Sequence, residues 1–260
     1  MQIKGSIALV TGSNRGVGRA TVKVLMQQGA AKVYAAARDA AKIADLVAAY
    51  PGKVEAIALD ITAPEQVSAA AARARDVNLL INNAGVNKTR GFIAASGIDD
   101  ARAEMEANYF GSLSMCRAFA PVLKANGGGA IINVISIAAR VTIPMLGSYC
   151  ASKWALFSMT QGVRAELAKQ GTLVVSVNPG AIDTDMAKGM EMAKLDPADV
   201  ARQSLQAVED GVEDIYVGDM AQGTIQGVRA DEKAVEKQLA GMLPMKVDSP
   251  RGNASAALRT

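Results

Sequence analysis

Short apolar runs alternate with longer stretches of helical periodicity along most of the chain. The runs stand at Ile7–Val10, Lys32–Ala36, Val54–Leu59, Asn78–Ile81, Ala130–Ile135, Leu173–Val177 and Asp214–Val217. Most are apolar at successive positions, the pattern of parallel strands covered on both faces. Between them, Ala20–Gln28 predicts a helix closed by Gly29, because glycine accepts the left-handed conformation that ends helices. Pro64 opens a second helix running to about Arg75, at a position where proline's missing N–H is tolerated. Asp99–Ala125 predicts one long helix, Ser152–Lys169 another that stops at Gly171, and a further helical pattern follows Pro197. Strand and helix repeated in this way predict an α/β fold, a Rossmann-like doubly wound parallel sheet with helices on both faces and right-handed crossovers. After Thr184 the pattern changes, with Met186, Met190 and Met192 set among Ala, Lys and Gly. The expectation is a single domain over 1–228, a substrate loop or lid within 185–212, and a partly flexible C-terminal extension over 229–260.

Composition narrows the chemistry. A chain of 260 residues with 50% hydrophobic content can bury one substantial core without a disulfide or a metal. It contains no histidine. That excludes a Ser-His-Asp hydrolase, a histidine-bearing zinc site and a histidine general base. Any catalytic proton must travel through Tyr, Lys, Asp, Glu or Cys. Cys116 and Cys150 stand in no metal-like spacing and suit a reducing, cytoplasmic setting. A net charge of +3 is too small to point to nucleic acid. No apolar run reaches membrane-spanning length. The partner these features leave is a small molecule.

The first strand runs into Thr11-Gly12-Ser13-Asn14-Arg15-Gly16-Val17-Gly18, and a helix follows. Gly12 allows a tight turn, Gly16 a close approach of backbone to a pyrophosphate, and Gly18 close packing of helix on sheet. Helix N-terminal amides then face the phosphates. A dinucleotide with free ribose hydroxyls calls for an acid after the second strand, yet Ala37 and Arg38 stand there. Arg15 and Arg38 together suit a 2′-phosphate, hence NADP(H); the alternative is two solvated surface groups. Asp39 either pairs with Arg38 or meets a ribose.

Tyr149 and Lys153 lie four apart, on one face of a helix. An ammonium beside a phenol favours the phenolate and lowers the phenol's pKa, so this Tyr can pass a proton to or from a carbonyl oxygen. Ser136 follows the fifth strand, at the sheet edge that faces ligands, where its hydroxyl can meet the same oxygen. Asn82-Asn83-Ala84-Gly85 closes the fourth strand, Asn108 sits unfavourably inside the long helix, and Asn178-Pro179-Gly180 closes the sixth strand before Thr184. The substrate pocket is expected from Val86, Arg140, Val141, Ile143, Met145, Leu146, Met186 and Met190.

TGSNRGVG, NNAG, Asn108, Ser136 with YCASK, and NPGAIDT, in this order, resemble the short-chain dehydrogenase/reductase family. The resemblance runs from about Ile7 to Thr184. It implies strand order 3-2-1-4-5-6-7 and an NADP-preferring member. It implies Tyr149 as general acid/base, Ser136 orienting the substrate carbonyl, Lys153 on the nicotinamide ribose, and Asn108 supporting a water-linked relay. Asp60 would contact adenine with Ile61 adding backbone, Asn83, Ala84 and Gly85 would border the adenosine ribose, and Pro179, Gly180, Ile182 and Thr184 would meet the nicotinamide. The family's Asp-Gly-Gly signature is missing from EDIYVGDMAQGTIQGV, so a homodimer is favoured over a tetramer. The expected activity is NADPH-dependent reduction of a ketone or aldehyde. The alternatives are a 3-oxoacyl-thioester reductase, an NAD-linked alcohol or sterol dehydrogenase, and a non-catalytic NADP-binding sensor.

Overall fold

Successive residues of a strand face opposite sides of a sheet, and the buried side chains sort accordingly. The computed structural model describes residues 1–88, 91–189 and 191–244. Its strands are β1 (Ile7–Thr11), β2 (Lys32–Ala37), β3 (Val54–Ala58), β4 (Leu79–Asn82), β5 (Ala130–Val134), β6 (Leu173–Pro179) and β7 (Asp214–Val217). They form one parallel sheet in the order 3-2-1-4-5-6-7. Its helices are α1 (Gly16–Gln27), α2 (Ala44–Ala49), α3 (Pro64–Arg73), α4 (Asp99–Met105), α5 (Ser112–Ala125), α6 (Gly147–Leu167), α7 (Pro197–Asp210) and α8 (Asp219–Leu239).

One face of the sheet offers Ala8, Val10, Val33, Ala35, Ile81 and Ile132 to α1 and α7, through Val22, Leu25, Val200 and Leu205. The other offers Leu9, Tyr34, Leu80 and Ile131 to α3, α5 and α6, through Val67, Phe119 and Leu156. Both faces are therefore dry, as the continuous apolar runs predict. No helix among the described residues is long and apolar enough to cross a membrane.

Three expectations need correction. The single helix over 99–125 is three pieces, with α4 and α5 joined by a π-helical turn over Glu106–Gly111. Two contacts with distant segments accompany the wider turn. Asn108 hydrogen-bonds to Val86 and Ser152 from inside it, and Gly111 lets Ile61 approach to where a Cβ would stand 2.8 Å from its Cδ1. Second, α6 begins at Gly147, five residues earlier than expected, so Tyr149 lies within its first turn. Third, α7 cannot belong to a lid, because Val200, Leu205 and Val208 are fully buried. The candidate lid shrinks to about 185–194. Its base is pinned by Leu195, which exchanges backbone hydrogen bonds with Ala181 and Asp183 at 2.9 Å each. The boundary expected at 228 falls inside α8, close to a break in helical geometry at Asp231.

Gly18 holds α1 against the loop after β1, since a Cβ there would overlap the Gly12 carbonyl and the Asn83 amide. Gly18→Ala is expected to cost about 1–3 kcal/mol by overpacking. Gly223→Ala, in open space on α8, is expected to be neutral or stabilising. Denaturant midpoints of the two variants check this; an unshifted midpoint for Gly18→Ala would refute the packing role.

Candidate functional site

Strand order reverses between β1 and β4, so the loops after these strands diverge and open a crevice there. The two loops are bolted together beneath it. Thr11 Oγ accepts the backbone amides of Asn83 at 2.9 Å and Ala84 at 3.0 Å. The Asn83 side-chain amide donates back to the carbonyls of Thr11 at 2.9 Å and Gly12 at 3.3 Å. Ser13 is fully buried, its hydroxyl on the Val10 carbonyl and its amide on that of Ala36.

A cleft of about 900 Å³ runs from this crevice across the carboxyl ends of β1 and β4–β6. At one end it is lined by Gly12, Asn14, Arg15, Gly16, Val17, Arg38, Asp60, Ile61, Asn83, Ala84 and Gly85, and further along by Ser136, Tyr149, Lys153, Pro179, Gly180, Ile182 and Thr184. These are the expected positions. Ser13 and Gly18 lie behind the wall, where they shape the loop. The expected pocket residues Val86, Val141, Ile143, Met145, Leu146 and Met186 line the far end. Met190 lies outside the described residues. Arg140 turns away from the cleft: its guanidinium donates to the Tyr216 hydroxyl at 2.7 Å and covers the Phe157 ring.

The cradle suits a pyrophosphate. Gly16, at φ +52°, starts α1, and a Cβ there would stand 3.0 Å from Thr184 Cγ2. No acidic side chain occupies the first turn of α1, which leaves its amides open to an anion. At the adenine end, burial works against the Asp60 carboxylate, but the amide and hydroxyl of Thr62 and the charge of Arg38 hold its pKa below the ordinary value. Asp39 forms no ion pair with Arg38; it lines the cleft, and one of its oxygens caps the short turn Ala40–Ile43 by accepting the Ala41 amide at 3.0 Å. The Arg15–Arg38 pairing also changes. Arg15 bonds Asp185 at 3.0 Å, tying the glycine loop to the base of the lid, with both side chains about two-thirds exposed. Such an exposed pair contributes roughly 0–1 kcal/mol. Lys42, one short turn beyond Arg38, lines the cleft beside it and was not marked by any motif.

Tyr149, Lys153 and Ser136 converge at the end of β5. The phenol is buried, with Ser136 beside it. Burial drives its pKa up, Ser136 pulls it down, and Cys150 and Glu104 push it further up. The lowering expected from Lys153 is not seen, for a geometric reason. The Lys153 ammonium lies 5.8 Å from the Tyr149 ring centre, donating to the Val134 carbonyl at 3.0 Å. Its own pKa is depressed to about 8 by burial. Asn108 is fully buried behind the cleft wall; its amide nitrogen serves Val86 O and Ser152 Oγ, and its oxygen accepts Val86 N. A Cβ at Gly85 would stand 2.8 Å from Asn108 Oδ1 and 3.6 Å from Lys153 Nζ, so the bare glycine lets both border one space.

Motifs did not mark several other contributors. Met220, Leu239 and Met242 complete an apolar far end, together with Met192 from the segment 186–195 expected there. Met242 accepts a backbone hydrogen bond from Met145 at 2.9 Å, and Pro244 packs on Gly91. Buried Glu104 sits behind Tyr149. A helix-spacing search from Asn108 would have found Glu104; the late residues carry no local signal.

A doubly wound sheet with a glycine loop and a Tyr/Ser/Lys cluster at its switch point defines a Rossmann-like oxidoreductase. The chain belongs to the short-chain dehydrogenase family, whose model, described as short chain dehydrogenase, matches residues 6–194. It is 34% identical over 198 residues to the short chain dehydrogenase mpl6 of Monascus purpureus, covering 72% of this chain and 68% of that protein. A Drosophila melanogaster dehydrogenase/reductase SDR family protein 7-like is 30% identical over 245 residues, 84% of this chain and 74% of the relative. Among solved structures, a short chain dehydrogenase from Burkholderia cenocepacia J2315 in complex with NADP is 46% identical, with a TM-score of 0.88, 92% of this chain and 99% of that one covered. A Burkholderia phymatum family structure in complex with NAD, 24% identical over 95% of this chain and 98% of that one at a TM-score of 0.80, shares the fold.

Lys153 is harder to protonate in the folded chain than in the unfolded one. Between about pH 8 and 10.5 the unfolded state holds the extra proton, so this group makes stability rise with pH. Lys153→Met is expected to remove that rise. Unfolding free energies of the two proteins, measured without cofactor, should shift toward the wild type across this window; parallel curves would contradict it.

Proposed function

We propose that the protein is an NADP(H)-dependent carbonyl reductase acting reversibly on a ketone or aldehyde, with Tyr149 as general acid and base. The observation that carries the reading is the meeting of Tyr149, Ser136 and Lys153 in the cleft that begins at the glycine loop. Gly12, Asn14, Gly16 and Val17 would hold the pyrophosphate, Asp60 and Ile61 the adenine, and Lys153, Pro179, Ile182 and Thr184 the nicotinamide half. When bound, the dinucleotide supplies or accepts the hydride.

This chain's residues do the rest. Ser136 donates a hydrogen bond to the substrate oxygen and fixes its place. Tyr149 gives that oxygen its proton as negative charge develops there. Burial keeps the phenol protonated at neutral pH, which suits the reductive direction. A Lys153 drawn toward the phenol steadies the phenolate left behind. Asn108 braces the loop carrying Val86 against α6. The apolar far end excludes water and takes the hydrophobic body of the carbonyl compound; its methionines adapt to more than one shape.

The preference for NADP(H) rests on Arg38 and Lys42 at the adenosine end. The NADP-bound structure at 46% identity supports it. Arg38→Asp is expected to weaken NADPH binding by one to two orders of magnitude, as loss of a charge-assisted contact to phosphate does, while NADH binding changes little. Cofactor titrations by fluorescence check this, and equal losses would sink the assignment. Tyr149→Phe is expected to lower turnover about 10²–10⁴-fold on a carbonyl panel assayed with NADPH, with cofactor affinity retained. Near-wild-type turnover would remove Tyr149 from proton transfer.

A further inference from the structure

Glu104 is a fully buried carboxylate that the proposed chemistry does not use. It lies on α4, four residues before Asn108, so the two share one helix face. Opposite them on α6 stand Ser148 and Ser152, again four apart. The Ser148 hydroxyl donates to Glu104 Oε2 at 2.7 Å, and the Asn108 amide donates to Ser152 Oγ at 2.8 Å. Both side chains also reach the loop after β4. Glu104 Oε1 accepts the Lys88 amide at 2.7 Å, and Asn108 clasps both backbone groups of Val86. The result is two rungs to α6 and the loop after β4, one from α4 and one from the π-helical turn that follows it.

Tyr149 and Lys153 are the residues that directly follow the two serines. Each rung therefore fixes the backbone of one member of the pair. Asn108 serves the Lys153 end. The Tyr149 end needs an anchor of its own, because it lies in the first turn of α6, where backbone amides lack helical partners.

We propose that Glu104, acting through Ser148, is the positioning residue for Tyr149, and that its buried negative charge helps hold the phenol in its protonated form. The inference rests on the reading of Tyr149 as the proton donor. Glu104 accepts at both oxygens, the Ser148 hydroxyl on one and the Lys88 amide on the other. Among the described residues, the other charged or titratable groups facing the phenol are Lys153 and Cys150 on α6; Lys88 enters the cleft from the loop after β4. The direction of the phenol's shift agrees with the geometry, since Glu104 adds to the rise that burial causes.

The test uses the full chain with NADPH and a carbonyl substrate that it turns over, and with the alcohol and NADP⁺ in reverse. Ser148→Ala removes the rung's donor without touching the cleft. It is expected to lower kcat about 10- to 100-fold, the scale of a slightly misplaced catalytic group, with KM for NADPH unchanged. Ser148→Thr, which retains the hydroxyl, should restore most of kcat. Glu104→Gln can keep the Lys88 amide on its oxygen and turn its NH2 toward the Ser148 hydroxyl as donor, so the rung survives in reversed polarity but carries no charge. Its pH profile for alcohol oxidation should move to lower pH by on the order of half a unit, as expected on removing a nearby like charge. Wild-type kcat in Ser148→Ala, or an unmoved pH profile in an active Glu104→Gln, overturns the inference. A Glu104→Gln variant that fails to fold leaves the serine pair to decide it. Tyr149→Phe is measured alongside: if it stays active, the reading of Tyr149 fails, whereas an inactive Tyr149→Phe with unaffected Ser148→Ala refutes only the positioning role.

Discussion

The bond between Thr11 and the Asn83–Ala84 turn is the constraint on which the remainder of the site depends. Parallel strands that part company at a switch point leave unpaired backbone groups at the sheet edge. Here one hydroxyl accepts two of those amides, and one side-chain amide returns two bonds to the carbonyls of the opposite loop. The crevice floor is thereby rigid, and the glycines above it can remain bare. Gly12 and Gly85 are small because Asn83, Asn108 and Lys153 need the space that a Cβ would fill. The same polar chain continues sideways: Asn82 donates to Asn133, and Asn133 to Thr160 on α6. A buried polar network of this kind specifies one arrangement more than it adds stability, although the Asn82 side-chain oxygen has no partner in it.

The site joins two halves of different character. The dinucleotide half is built from strand ends and glycine turns and is fixed by backbone bonds. The far half is built from side chains of several late segments: the turn Pro144–Leu146, Met186 and Met192, and the residues around Met242. Tyr149 stands at their junction, buried enough to stay protonated and close enough to Ser136 to be aimed. A buried lysine with a depressed pKa lies one turn further on. Its ammonium is held by a carbonyl in this state, so its influence on the phenol depends on where that ammonium points.

Much of this was legible in the amino-acid order. Continuous apolar runs identified the strands to within a residue or so, because strands covered on both faces have no polar side to confuse the pattern. The glycine loop, NNAG, Ser136 and the Tyr149–Lys153 pair were legible because chemistry fixes their spacing within single elements. What escaped depended on contacts between distant segments. The π-helical turn at Asn108 arises from bonds to residues 22 and 44 positions away. Arg15 was assigned beside Arg38 without knowledge of Asp185, and Arg140 was assigned to the pocket without knowledge of Tyr216. Glu104 reads as one more solvated charge in DDARAEMEAN until α6 is laid against it.

The backbone hydrogen bond from Met145 to Met242 has a consequence for how the molecule is made. Every element of the dinucleotide cradle lies before Thr184, and the sheet closes at β7. The wall that shapes the far end is contributed by residues 239–244, among the last described segments to leave the ribosome. A nascent chain can thus own a finished nucleotide fold while its substrate chamber still lacks one side.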